Sequence, residues 1–570
     1  VEAAFASFLK AGFERLAAWA DTLDQINVFP VPDGDTGRNL VTSLVPLRDL
    51  GSEKINITDE LLMAARGNSG NIAARYFTGF LEAGGGAGLG SRCRRGRELA
   101  YQAVRNPVQG TILSFFDDLI QALDRHESTE DGGWIERVLG DLEGSVKRTA
   151  TQLPELEAAG VVDAGALGMF IFFDAFLKTL AGRNEPLSPI LDLFENYLAV
   201  GKSWRAGNEE SFCLDALLKV DQAGALGRLE TVGPDLVAIE EGEYLKVHFH
   251  TADRATAHRS LESIGRLVSL ATDNIQDQVR SFAAKPALRP VHVMTDAAGS
   301  LTRADAAGLG LTLLDSYIII GHRSCPETRL DPTLLYGAMT QGIKVTTSQA
   351  SIFERHQHYE RILGKHPKVL YLCVGSAFTG NYQTVMSWKE DHDPDGRLVV
   401  VDTGSASGRL GLAALAVGQR ALEEEEPDRL IDFAQRIVTA CREYIFLDRL
   451  RWLAAGGRLS KTSALLGDAL KIKPVFSPAP EGAKKVAVLR NREDQLRLAL
   501  EKIASELDHS QRPWIMLEYT DNPAWVGGPV REMIAQARPE ARIIVQPMSL
   551  TSGCHTGPGT WGLAFLDQDG

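Results

Sequence analysis

No Cys-x-x-C pair occurs in this chain of 570 residues. Its six cysteines (Cys93, Cys213, Cys325, Cys373, Cys441 and Cys554) are scattered, which excludes a disulfide framework and fits a reducing cytosol. No apolar run reaches the length of a membrane span. The opening residues form an amphipathic pattern and not a secretory leader. Positive charge is in short supply: 60 Lys and Arg face 74 Asp and Glu, for a formal net charge of −14. That balance excludes a general nucleic-acid binder, though it leaves room for a local basic patch. A Lys-containing phosphate loop is missing as well. Gly84 to Gly90 is glycine-rich but has no G-K-[ST] ending and no preceding strand. Up to about residue 182 no segment reads as a strand. Apolar content of 44% and charged content of 24% are ordinary globular values, and the length predicts three or four domains.

The first informative stretch is Asn27-Val-Phe-Pro-Val-Pro-Asp33-Gly-Asp35-Thr36-Gly37-Arg38-Asn39. Pro30 and Pro32 make a stiff extended entry, and Gly34 and Gly37 permit tight or left-handed turns. Asp33 and Asp35, separated by one glycine, can converge on a hard cation such as Mg²⁺, which takes one or two carboxylates and completes its octahedron with water and substrate phosphates. A bare Asp-Gly-Asp is more often a solvated turn; the rigid entry and the polar start of the next helix favour the metal. Residues 1–25 carry Phe5, Phe8, Leu9, Phe13, Leu16, Trp19 and Leu23 at helical spacing. Gly67-Asn68-Ser69-Gly70 opens a helix running through Phe80, and its backbone N–H groups and hydroxyl form an anion cradle or a simple glycine kink. Helices also start near Gln109-Gly110-Thr111 and Val161-Val162-Asp163. The first domain, residues 1–185, is therefore expected to be an all-α bundle with its polar glycine turns at one end.

The pattern changes after a polar break at Arg183 to Pro189. Strands are predicted at Ser211–Leu214, Leu236–Ile239 and Tyr244–Thr251, giving an α+β middle domain over 190–285. His248 and His250 alternate along one strand and share a face. With Cys213 they make either a Cys-His-His zinc site with an open position or polar decoration of a half-exposed strand. A second linker spans Ala284 to Pro290. Beyond it, strands at 291–295, 310–319, 369–374 and 398–402 alternate with helices at 303–308, 332–341, 380–390 and 407–424, which predicts a mainly parallel sheet in a C-terminal domain over 291–570. Polar clusters at Thr346–Gln349, Gly375-Ser376, Thr379-Gly380 and Asp402–Ser405 are expected at the C-terminal ends of those strands, where they suit a small anion or act as helix N-caps. Thr379-Gly380-Asn381-Tyr382 carries no lysine, which argues against a nucleotide there.

These motifs, taken with Gly110-Thr111-Ile-Leu and Val162-Asp163-Ala-Gly165, resemble the catalytic subunit of bacterial fatty acid kinase, whose nucleotide domain is similar to the L subunit of dihydroxyacetone kinases. The resemblance implies an eight-helix barrel holding Mg-ATP at one end. It implies Asp33 and Asp35 as magnesium ligands, with Asn27 a candidate third where relatives carry aspartate. It implies Thr36, Asn39, Asn68, Ser69, Thr111 and Asp163 near the nucleotide, and Cys213, His248 and His250 as zinc ligands. This chain departs at Arg38, where Thr is usual, at Gln109, where Glu is usual, and at Ala166-Leu167, where Gly-Gln is usual.

Residues 291–568 are similar to the DegV family of fatty-acid-binding proteins. Thr346-Thr347-Ser348-Gln349, Thr379-Gly380, Gly457-Arg458, Arg490 and His555-Thr556-Gly557-Pro558-Gly559 carry the likeness. It implies a two-part α/β fold with one acyl chain in a tunnel. The carboxylate would be gripped by Thr347, Ser348, Thr379, Gly380 and His555, with Arg458 and Arg490 at the phosphate-accepting end.

Together the resemblances imply an ATP-dependent fatty acid kinase that makes acyl phosphate, with Arg490 joining Asp33 and Asp35 as a catalytic residue. Two rivals stand beside it: a fatty-acid carrier or sensor with an inactive nucleotide-binding domain, and a dihydroxyacetone-type kinase for a small hydroxy substrate. The expected partners are a long-chain fatty acid, an acyl phosphate acceptor enzyme, a bilayer touched transiently and a second copy of the chain. The expected place is the cytoplasm, peripheral to the inner membrane face.

Overall fold

The structure is a computed structural model that describes residues 2–50, 56–84, 86–126, 133–182, 186–201, 204, 212–220, 236–276, 289–455, 472–507 and 512–567. The chain forms two compact units, Val1–Lys285 and Pro286–Gly570.

The helical part of the first unit includes α1 (Glu2–Gln25), α2 (Thr36–Leu44), α3 (Ile57–Ala64), α4 (Gly67–Glu82), α5 (Leu89–Gln102), α6 (Ile112–His126), α7 (Trp134–Thr149), α8 (Pro154–Ala159) and α9 (Ala164–Leu180). Helix α9 is apolar nearly all round and is buried from Ala164 to Lys178, as expected for a helix enclosed by others. It packs against α1, α2, α6 and α7, while α1 packs on α2, α2 on α4, α4 on α5 and α5 on α6. Aromatic rings fill the centre: Tyr76 stacks on Phe116 with centroids 3.9 Å apart, and Phe77 lies 4.7 Å from Phe172. Asp174 of α9 is fully buried and pairs with Arg15 of α1 and with Lys178, so its charge is compensated inside the bundle.

The same unit holds a four-stranded antiparallel sheet in the order β2-β3-β1-β4, made of β1 (Phe212–Lys219), β2 (Val237–Glu241), β3 (Tyr244–Thr251) and β4 (Arg266–Asn274). Strand alternation sorts its faces. Leu214, Ala216, Leu218, Val247 and Phe249 pack with Leu261 of the helix Arg254–Ile264. Cys213, Asp215, His248 and His250 fall on the other face. The sheet is tied to the helices: Ala238 N donates to Ala103 O at 2.8 Å and Arg105 N to Leu236 O at 3.3 Å, around an isolated bridge between Val104 and Val237.

The described residues of the second unit form three sheets. A parallel sheet runs in the order β11-β10-β5-β6, from β5 (His292–Asp296), β6 (Thr312–Leu314), β10 (Val369–Cys373) and β11 (Leu398–Asp402). A small antiparallel sheet joins β7 (Tyr317–Ile320), β8 (Arg323–Pro326) and β9 (Val345–Ser348). The third runs β14-β13-β12-β17-β15-β16, from β12 (Arg442–Phe446), β13 (Lys473–Ala479), β14 (Gly482–Leu489), β15 (Trp514–Tyr519), β16 (Arg542–Pro547) and β17 (Trp561–Leu566). In it only β15 and β16 pair in parallel.

Three expectations need correction. The strand expected over 310–319 is two strands in different sheets. The break falls at Asp315, whose carboxylate accepts from Arg303 Nη2 at 2.8 Å and from Thr328 N at 2.9 Å. Thr346–Ser348 lie within β9 and not at the end of a parallel strand. The sheet structure is mixed overall, and a helix at Ile352–Lys365, capped by Ser351, adds an element that the expected alternation did not include.

Two stability predictions follow from this packing. A Cβ on Gly37 would lie 2.1 Å from Ala20 O, so Gly37→Ala is expected to cost at least about 1–3 kcal/mol of stability by urea denaturation. Asp163 caps α9 by accepting from Ala166 N at 2.7 Å, and burial raises its pKa to about 7 against the opposing pull of its backbone donors. A raised carboxyl pKa favours the fold below the unfolded value and loses that contribution as pH climbs through the folded one. Asp163→Asn keeps a good cap. Its urea midpoint should therefore exceed wild type at pH 8 and approach it as pH falls from about 7 toward about 4, with a span of a few kcal/mol at about 1.4 kcal/mol per pKa unit.

Candidate functional site

The acidic turn folds into a pocket wall. Thr36 Oγ1 donates to Asn27 Oδ1 at 2.8 Å, and Asn27 Nδ2 donates to Asp33 Oδ1 at 2.5 Å. Arg38 does not enter the pocket: its Nε donates to Asp24 Oδ2 at 3.0 Å and its Nη2 to Gly34 O at 2.5 Å. Asp33 is buried, and burial first, then the adjacent Asp35 charge, push its pKa well above the usual carboxylate range. The two carboxylates thus converge and repel, a conflict that a bound cation removes.

Asp33, Asp35, Thr36 and Asn39 line one side of a small polar cleft. Gly67, Asn68 and Ser69 line a second side. Gly67 has φ +63°, and a Cβ there would lie 2.2 Å from Asn39 Nδ2, so only glycine lets the two turns approach. Asn68 Oδ1 is buried in the cleft without a hydrogen-bond partner, a position that suits a ligand donor or cation.

The third side comes from the sheet. His248 and His250 of β3 line the same cleft. The register pairs Cys213 with His250 and Asp215 with His248, two successive cross-strand pairs on one face. Donor atoms of Cys213, His248 and His250 lie within 4.8 Å of one another, with Cys213 Sγ 3.9 Å from His248 Nδ1. This soft-plus-imidazole set fits zinc with an open fourth position. Burial, followed by the charges of Asp215, Asp35, Asp33 and Asp273, drives the Cys213 thiol pKa far up; a metal would reverse that balance. Sequence reasoning missed Asp215, although its i, i+2 spacing from Cys213 on a strand was a usable signal.

Other residues named from the sequence fall elsewhere. Asp163 is the α9 cap, and Thr111 Oγ1 donates to Val108 O at 2.8 Å. Neither lines the cleft, although a Cβ on Gly165 would meet both Ser69 Oγ at 3.0 Å and Asp163 Oδ1 at 3.2 Å.

In the second unit Thr347 Oγ1 and His555 Nε2 come within 3.3 Å although they are 208 positions apart in the chain. Gly380 faces the Gln349 amide, and Thr379 Oγ1 accepts from Asn381 N at 3.1 Å. Ser348 Oγ donates to Gln349 O at 3.0 Å. Beside β9 and the helix Leu550–Thr556 lies an apolar cluster of Ile318, Leu335, Tyr336, Met339 and Leu550. Arg490 is exposed just past β14, and Arg458 lies outside the described residues.

Among the described residues no helix is long and apolar enough to cross a membrane. The chain is similar to Protein YloV of Bacillus subtilis, 28% identical over 342 residues, covering 52% of this chain and 61% of that one. It is also similar to an uncharacterised protein of Staphylococcus haemolyticus, 29% identical over 313 residues, 50% of this chain and 57% of that one. It thus spans about 57–61% of the length of these relatives. Among solved structures, a fatty-acid-binding DegV family protein from Thermus thermophilus is 21% identical with a TM-score of 0.45, over 49% of this chain and 99% of that one. The Streptococcus pneumoniae Fatty Acid Kinase (Fak) B3 protein loaded with linoleic acid is 15% identical with a TM-score of 0.43, again over 49% and 99%. Residues 30–178 match the DAK2 domain, and residues 290–568 match the family described as "Uncharacterised protein, DegV family". The chain therefore joins an N-terminal helical DAK2 domain to a C-terminal α/β DegV-family region.

Proposed function

We propose that this chain is a fatty acid kinase, transferring the terminal phosphoryl of ATP to the carboxylate of a bound long-chain acid. The observation that carries this reading is the single cleft shared by Asp33 and Asp35, the Gly67–Ser69 turn and the His248–His250 strand. Three kinds of phosphate-handling group meet there: carboxylates for magnesium, backbone N–H groups at a helix start and a zinc-type donor set. We read the surrounding helices as a dihydroxyacetone-kinase-like barrel with the nucleotide at this end.

Magnesium on Asp33 and Asp35, and zinc on Cys213, His248 and His250, would supply positive charge to the phosphates. Asn27 holds Asp33 from behind; its carbonyl oxygen already accepts from Thr36 and would be the atom offered to a cation. Asn39, Asn68 and Ser69 line the space where phosphate oxygens would sit. In the DegV-family region Thr347 and His555 donate to the acid, Thr379, Gly380 and Ser348 stand near, and Arg490 and Arg458 serve the incoming phosphoryl. A fatty acid is ionised at neutral pH, so its oxygen attacks the γ-phosphorus without a general base while the bond to the β-γ bridging oxygen breaks and ADP leaves. Catalysis is then positioning and charge neutralisation.

A carrier with a silent nucleotide domain is disfavoured by where the departures from the family pattern fall. Arg38 is spent on Asp24 and Gly34, Gln109 accepts from Ser114 Oγ at 2.9 Å, and Ala166 and Leu167 are buried core. None of them lines the cleft.

The purified chain, given ATP, magnesium and a long-chain acid, should form a hydroxylamine-trappable acyl phosphate. Asp33→Ala with Asp35→Ala should lower that rate by about 10²-fold or more while lipid still co-purifies; equal activity would overturn the magnesium assignment. Separately, Thr347→Val should weaken fatty acid binding by about ten- to a hundredfold, the loss of one hydrogen bond to a charged group, as read by displacement of a fluorescent acid. Unchanged affinity would remove Thr347 from the acid site.

A further inference from the structure

Asp215 is explained neither by the nucleotide nor by the zinc-type donor set. It lies two residues from Cys213 on β1 and directly opposite His248 on β3. Its Oδ2 is 3.1 Å from His248 Nδ1. The carboxylate is itself held firmly. Gly67 N donates to Oδ2 at 3.2 Å, Asn71 Nδ2 approaches Oδ1 at 3.5 Å, and Lys246 Nζ is 4.0 Å from Oδ1. It sits at the N-terminal end of α4, where a helix favours negative charge. Asp215 is buried, as are His248 and Lys246.

Two assignments of the His248 ring are conceivable. Cys213 Sγ lies 3.9 Å from Nδ1, so a metal could sit on that nitrogen. A metal on Nδ1 would also draw in the carboxylate beside it as a ligand. Yet the converging donors belong to Cys213, His248 and His250, and Asp215 is not part of that group. The alternative puts a proton on Nδ1, donates it to Asp215 and frees Nε2. A fixed buried carboxylate accepts an N–H and is repelled by a bare nitrogen lone pair, which favours the second arrangement.

We propose that Asp215 is a positioning residue that locks the His248 ring with its proton on Nδ1 and presents Nε2 to a divalent cation of the zinc type. Carboxylates in this relation to a ligand histidine fix the ring's orientation and raise its basicity. The proposal rests on the zinc reading of the Cys213–His248–His250 group, and its tests separate the two.

The first test needs no substitution at Asp215. The full-length, metal-free chain is labelled with ¹⁵N-histidine and examined by long-range ¹H–¹⁵N correlation, with the His248 signals assigned by their loss in His248→Gln. The expected ring carries hydrogen on Nδ1; a ring with a bare Nδ1 and its hydrogen on Nε2 overturns the assignment. The second test measures zinc affinity by competition with a chromophoric chelator. Asp215→Asn should weaken zinc by about ten- to a hundredfold, as loss of a partner to a ligand histidine does elsewhere, and Asp215→Glu should restore part of it. Cys213→Ser should weaken zinc at least as much. Zinc bound through Cys213 but unweakened by Asp215→Asn overturns the positioning role and leaves the zinc reading intact. Indifference to Cys213→Ser refutes the zinc reading itself, and the ring proton still decides what Asp215 does.

Discussion

Two carboxyl groups held close together in a poorly hydrated place set the terms for the first unit. Asp33 is buried, and Asp35 is near enough that its charge adds to burial in raising the Asp33 pKa. Folding toward such a pair is unfavourable unless something positive shares the space. The surroundings show how the chain manages this. Arg38 is placed on the outside of the turn against Asp24, where it softens the field without filling the cleft. The amide of Asn27 donates into Asp33 from behind. The inner side is left to polar atoms that neither neutralise nor block it.

The sheet takes part in the same arrangement. Its apolar face is closed by the helix Arg254–Ile264, which is ordinary antiparallel packing. Its other face carries Cys213, Asp215, His248 and His250 toward the acidic turn, and the Cys213 thiol senses Asp33 and Asp35 through space. One hydrogen bond, from Gly67 N to Asp215, ties the Gly67–Ser69 turn to the strand that bears the cysteine. Groups that look like two separate sites along the chain therefore belong to one electrostatic neighbourhood.

Much of this was legible in the sequence, and the boundary of legibility has a physical basis. Local spacing decides whether two aspartates can converge, whether two histidines share a strand face, and whether Gly67-Asn-Ser opens a helix; all three were read from a few residues. That they meet in one cleft depends on the β1–β3 register and on a contact spanning 148 positions, which no local pattern encodes. Asp215 was overlooked because a lone aspartate in a strand resembles surface decoration until its partners are known. The break at Asp315 was hidden for a similar reason: residues 310–319 read as one strand, and the Arg303 and Thr328 contacts that divide it come from outside that stretch.

The small bridge between Val104 and Val237 has a practical consequence. It stitches the end of α5 to an edge strand of the sheet by main-chain hydrogen bonds, so the helices alone are not a natural fragment. A recombinant piece ending near residue 182 would retain the aspartates yet expose the unpaired backbone around Ala103 and Arg105 to solvent. Fragment studies of this chain should cut beyond the sheet, because the bundle by itself lacks the strand residues that close one wall of its cleft.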